Sequence, residues 1–189
     1  AACAIEAGYS CYGTPSTCAL ENYTGSADSC ADPGVIIGSP ARISGTSFAA
    51  DFSDALLLEA GSCVVRTGTV EAVFQVNLQP GEIVLLSEHG TIDVVLSILP
   101  SATTCDSTTV CVASSDLGTN ESAGVSYTAT AAETVYLVVE AWSTTATSAY
   151  DIRISTRIPA CGDGIIEGTE TCDDGDADAG DGCSDLCVI

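Results

Sequence analysis

The sequence predicts an all-β fold: an antiparallel β-sandwich or jelly-roll, flanked by an N-terminal disulfide-stapled arm and a small C-terminal disulfide-rich module. Three observations lead there. Apolar residues alternate with polar ones in runs of five to nine residues, Gly, Pro, Ser, Thr and Asp clusters separate those runs, and no stretch shows a helical period worth defending.

In chain order, weak strands are expected around VIIG (35–38) and RISGTSFAADF (42–52). The clearest is VEAVFQVNL, where Val70, Ala72, Phe74, Val76 and Leu78 fall on one face and Glu71, Gln75 and Asn77 on the other; it ends at the QPGE turn. EIVLLSE (82–88) and TIDVVLSIL (91–99) follow, joined at His89-Gly90 in an expected tight hairpin with glycine at positive φ. SYTAT (126–130), ETVYLVVEAW (133–142) and SAYDIRIST (148–156) complete the set, with Tyr150, Ile152 and Ile154 sharing a face.

Composition shifts divide the chain into residues 1–32, a cysteine-bearing arm with no core pattern, residues 33–158, the sandwich, and residues 159–189, an acidic four-cysteine module entered through Ile158-Pro159. Eleven cysteines in 189 residues indicate disulfides formed in an oxidising compartment, so the expected location is extracellular, at the cell surface or periplasmic. No apolar run approaches the roughly 20 residues of a membrane span, and membrane insertion is not expected. The chain reads as a mature, soluble form; Ala1-Ala2-Cys3 also fits the end of a lipobox, a reading disfavoured because processing there would remove Ala1 and Ala2. The formal charge is −22, with no lysine and only Arg42, Arg66, Arg153 and Arg157. Nucleic acids and anionic lipid would be repelled, and bound cations would relieve the self-repulsion.

Cys161, Cys172, Cys183 and Cys187 can pair in three ways, and the spacing lacks the paired knuckles of zinc ribbons. Asp174, Asp176 and Asp178 alternate, with Asp185 at the place of an EF-hand terminal ligand; together with Asp163, Asp173 and Asp181 they form the candidate calcium set. Ala179 stands where the EF-hand loop needs glycine, and the competing reading is that these acids solvate a disulfide knot.

CGDGIIEGTETCDDGDADAGDGCSDLC (161–187) resembles the myxococcus cysteine-rich repeat through Cys161-Gly162-Asp163-Gly164, Cys172-Asp173-Asp174-Gly175 and Gly180-Asp181-Gly182-Cys183-Ser184. It departs at Thr169 and at Asp176, where that family usually has Asn. The resemblance implies a secreted, disulfide-bonded surface protein and names no activity. VEAVFQVNLQPGE, TIDVVLSIL with Asp93, and ETVYLVVEAWSTTATSAYDIRIS resemble the bacterial pre-peptidase C-terminal type of β-sandwich, which implies a non-catalytic domain. Cys105 with Cys111 would close a hairpin loop and Cys30 with Cys63 would tie the first strand to the sheet, leaving Cys3, Cys11 and Cys18, of which at most two can pair.

An enzyme is not expected. His89 is the only histidine, no GxSxG elbow or HExxH helix accompanies it, and one tryptophan, Trp142, gives a sugar cleft little to stack on. Asn22 and Asn120 head sequons, with O-linked sugar on Ser or Thr equally in view. The expected function is a secreted structural protein: a self-assembling subunit of an extracellular or cell-surface fibre, meeting copies of itself head to tail by strand exchange or by a disulfide through Cys3, Cys11 or Cys18, with calcium as an added tie. The alternative is a surface-displayed module binding polysaccharide or protein, with Tyr9, Tyr12, Tyr23 and Trp142 as candidate contacts.

Overall fold

The computed structural model describes residues 9–12, 17–20, 23–27, 29, 31–52, 69–100, 111–118, 121–143, 145–166, 170–180 and 182–188. Cys3, Asn22, Cys30, Cys63, Arg66, Cys105, Asn120, Gly168, Thr169 and Asp181 lie outside the described residues.

The fold is all-β, as the alternation predicts. In order the strands are β1 (Tyr9–Tyr12), β2 (Thr17–Leu20), β3 (Tyr23–Thr24), β4 (Gly34–Ile36), β5 (Ala41–Gly45), β6 (Glu71–Leu78), β7 (Ile83–Glu88), β8 (Val94–Leu99), β9 (Ala113–Ser115), β10 (Val125–Thr128), β11 (Glu133–Ala141) and β12 (Tyr150–Arg157). A six-stranded sheet runs β3-β4-β6-β11-β8-β9 and a four-stranded sheet β10-β7-β12-β5, while β1 and β2 pair only with each other. Neighbours are antiparallel except β4 and β6, which run parallel.

The core lies between the two sheets. Phe74, Leu96, Ile98 and Leu137 meet Ile43, Leu86, Ile152 and Ile154 in one buried cluster, so the expected apolar faces of β6 and β12 both point inward. Ala27, fully buried, joins that cluster, its carbonyl accepting the Val73 amide at 2.8 Å. The six-stranded sheet therefore draws on chain before residue 33. Val73, Val95, Leu99 and Val138 are buried yet stand outside the central cluster, so this sheet is covered on its outer face too. The four-stranded sheet is covered less: on its outer face Leu85, Ser126, Thr128, Arg153 and Arg157 are exposed, while Ser87 and Asp151 among them are buried.

Two expectations are corrected. RISGTSFAADF is a strand only to Gly45; Phe48–Asp51 forms one helical turn, α1, whose Phe48 buries against Phe52 and Tyr150. The His89-Gly90 link is a crossover, because β7 belongs to the four-stranded sheet and β8 to the six-stranded one. Gly90 serves close approach instead of a positive φ: a Cβ there would stand 2.6 Å from the Ala149 carbonyl oxygen and 2.5 Å from Glu88 Oε1. The Gly90 and Asp151 amides both donate to that Glu88 oxygen, at 2.6 and 2.9 Å, which ties the crossover to the start of β12.

Candidate functional site

In the C-terminal module the cysteines close as nested bridges, Cys161–Cys187 around Cys172–Cys183, one of the three pairings the sequence left open. Two loops of this size each contribute about 3 kcal/mol by constraining the unfolded chain. Such bonds form in an oxidising, extracellular type of environment. No helix among the described residues is long and apolar enough to cross a membrane.

The acids of this module close its loops. Asp173 accepts backbone amides from Gly162 at 3.0 Å, Gly164 at 2.9 Å and Gly175 at 2.9 Å. The Gly175 amide leads in holding its carboxyl below the ordinary aspartate range against desolvation, with the Gly164, Gly162 and Asp163 amides adding to it. Asp174 accepts the Cys183 amide at 2.9 Å, while Asp163 and Asp176 accept from Ile165 and Asp178, two residues on, in turns that each acid makes for itself. Gly162 is required twice over in CGDG: its φ is +91°, and a Cβ would meet the Asp176 carbonyl carbon at 2.7 Å.

Among the described residues Asp174, Asp176, Asp178 and Asp185, the acids at EF-hand spacing, do not gather into one cluster. Among the described residues the acids that converge are Glu170 and Asp173 beside Cys187, whose ligand atoms lie within 4.8 Å of one another. Cys187 is bonded to Cys161, so its sulfur is no thiolate ligand. Asp174, Asp176, Asp178 and Asp185 join no such group, and all four are exposed.

A second site, one that spacing did not reveal, lies on the outer face of the four-stranded sheet. Register places Arg42 opposite Arg153 opposite Ser87, and Ser44 opposite Asp151. Ala41, Ile43, Ile152 and Ile154 take the inward positions, so these polar residues point out. Asp151 holds the cluster. Arg42 donates to both its oxygens, from Nε to Oδ1 at 2.6 Å and from a terminal nitrogen to Oδ2 at 2.9 Å, and Arg153 donates to Oδ2 at 2.8 Å. Burial would raise the Asp151 carboxyl, but the two arginines outweigh it and hold it below the usual carboxylate range. A cavity of about 380 Å³ opens at this corner, between Arg42, Ser44, Tyr150 and Asp151.

His89 Nε2 lies 3.1 Å from Ser87 Oγ, which resembles half of a hydrolytic triad. The arrangement differs from a working one. Both carboxylate oxygens of Asp151, whose backbone carbonyl accepts the His89 amide, are taken by arginines, and Ser87 is only 4% exposed. Desolvation first, then the charges of Arg153 and Arg42, hold the imidazole below its usual pKa.

Of the aromatic candidates, Tyr23 packs edge-on against Phe74, with ring centroids 5.5 Å apart, whereas Trp142 is exposed. Cys11 and Cys18 are register partners across the β1–β2 hairpin. Cys111 is disulfide-bonded.

Residues 147–188, from the approach to β12 through nearly the whole module, match a cysteine-rich repeat family described as a domain of unknown function, DUF4215. The match is compatible with a C-terminal cysteine-rich repeat and covers well under half of the chain. No curated protein and no solved structure matches.

Proposed function

We propose that the chain is a secreted, non-catalytic structural protein that assembles with copies of itself into an extracellular or cell-surface fibre. The observation that carries this reading is the β1–β2 hairpin, which among the described residues pairs with neither sandwich sheet and lies beside β5, an edge strand of the four-stranded one. A hairpin outside the sheets can donate backbone hydrogen bonds to the edge of another copy. Such a heterologous contact does not close on itself and so propagates. The edges of the six-stranded sheet are only two and three residues long, whereas β10 and β5 offer four and five.

Eleven is odd, so at least one cysteine has no partner within the chain. The Cys11–Cys18 register supports a bond within the hairpin and leaves Cys3 as the one that reaches a neighbour. Calcium, in this reading, bridges exposed carboxylates of adjacent copies. The likeness of residues 161–187 to the myxococcus cysteine-rich repeat belongs to the same proposal, since it implies a secreted surface protein.

Negative-stain electron microscopy and non-reducing gels of the full chain test it. Filaments with a covalent ladder that Cys3→Ser abolishes are expected; a monomer at all concentrations, with or without calcium, would overturn the reading.

A further inference from the structure

The chain carries four positive side chains against 26 acidic ones. Three of the four, Arg42, Arg153 and Arg157, stand on the outer face of the four-stranded sheet, although they come from strands more than 100 residues apart. Across the outward positions of β5, β7, β10 and β12 the only acid among the described residues is Asp151, so the face is formally +2 on a molecule of −22. Leu85, 38% exposed, sits beside the arginines, and the apolar-cornered cavity opens at the Asp151 end. An apolar centre with arginines around it is the make-up of a recognition surface.

The C-terminal module is its complement. Residues 159–189 hold nine acids and no base. Between the acids the module leaves aliphatic side chains in water: Ile166 is 61% and Leu186 75% exposed. Residue clusters of this kind have no apolar partner in a unit too small to bury them.

We propose that the basic outer face of the four-stranded sheet receives the acidic C-terminal module of a second copy, with Asp178 and Asp185 against the arginines and an exposed aliphatic such as Leu186 seated at the cavity. This deepens the self-assembly reading and rests on it: one end of the molecule docks on the middle of the next. The overall charge of −22 does not forbid it. At about 0.15 M salt the Debye length is about 8 Å, so repulsion between whole molecules is screened while ion pairs in contact persist.

Sedimentation velocity of the full chain at that salt is the test, each variant first being matched to wild type by circular dichroism and melting temperature. Arg157→Glu, and separately Asp178→Arg with Asp185→Arg, are expected to weaken self-association about tenfold, and combining all three to restore most of it, because the reversed charges again face each other. Leu186→Ala is expected to weaken it without changing the salt dependence. If Arg157→Glu associates like wild type while Cys3→Ser or removal of residues 1–20 abolishes association, this inference fails and the hairpin-mediated reading stands. If wild type never associates, both fail. Loss of charge complementarity that acts only within a monomer, independent of concentration, would mean the module docks on its own face and would overturn the proposal.

Discussion

The sandwich and the module are held by opposite means. Between the sheets, stability comes from apolar burial: Phe74, Leu86, Leu137 and Ile152 are fully buried, and the buried Glu88 is matched to the Gly90 and Asp151 amides. Among the described residues of the module every side chain but those of Cys183 and Cys187 is partly or wholly exposed, and two disulfides with amide-bound carboxylates do the holding. The difference teaches where each piece is vulnerable. A packed core fails through cavities, whereas a stapled loop cluster fails through its crosslinks.

The largest expected effect is on the sandwich. Leu137→Ala, at the centre of β11, removes a fully buried side chain facing both Phe74 and Ile98 across the register and should cost about 3 kcal/mol in denaturant unfolding. A loss below about 1 kcal/mol would mean that the two sheets do not pack as described. Replacing Cys172 and Cys183 together by serine should cost the module about 3 kcal/mol, read as proteolysis or amide exchange confined to residues 161–187, with the sandwich melting unchanged. A matching fall in sandwich stability would show that the two regions fold as one.

Glu88 makes a finer distinction. Burial raises its carboxyl above the ordinary glutamate range, more than the Asp151 and Gly90 amides lower it, with Asp151 and Glu121 adding repulsion. A raised folded pKa contributes stability at pH below the unfolded value, and that contribution is lost as pH rises through the folded one. Glu88→Gln keeps the accepting oxygen and removes the charge. It should therefore stabilise the protein at neutral pH by about 1 kcal/mol, with the gain vanishing below about pH 4. Asp151 works in the opposite sense: its depressed carboxyl adds stability above the unfolded pKa, and this is lost as pH falls through the folded one. Melting temperatures of wild type and Glu88→Gln across pH 3 to 8 check the sign, and destabilisation at neutral pH would refute it. Smallest of all, chelating calcium should leave the module's amide exchange unchanged, since crosslinks and backbone amides already hold Asp163, Asp173, Asp174 and Asp176. Collapse on chelation would show that a metal carries that fold.

How far the sequence could be read follows from how local each feature is. The inward set of β12, Tyr150, Ile152 and Ile154, was legible because alternation is a property of one strand. The His89-Gly90 crossover was not, because a short glycine link between two apolar runs looks the same whether it joins one sheet or two. At the module, the identity of the acids was plain but their use was not: an alternating Asp pattern serves a metal or its own backbone equally well until the loops are placed.

What the sequence determined by itself is the β class, the oxidised compartment type, the acidity and the crowded glycine and aspartate turns, all consequences of composition and nearest neighbours. Only the tertiary structure decided which cysteines pair and which edges stay open. It also brought Arg42 to Arg153 around Asp151. That cluster joins residues more than a hundred positions apart, and strand register is settled by burying one face of every strand at once, a condition no single segment contains.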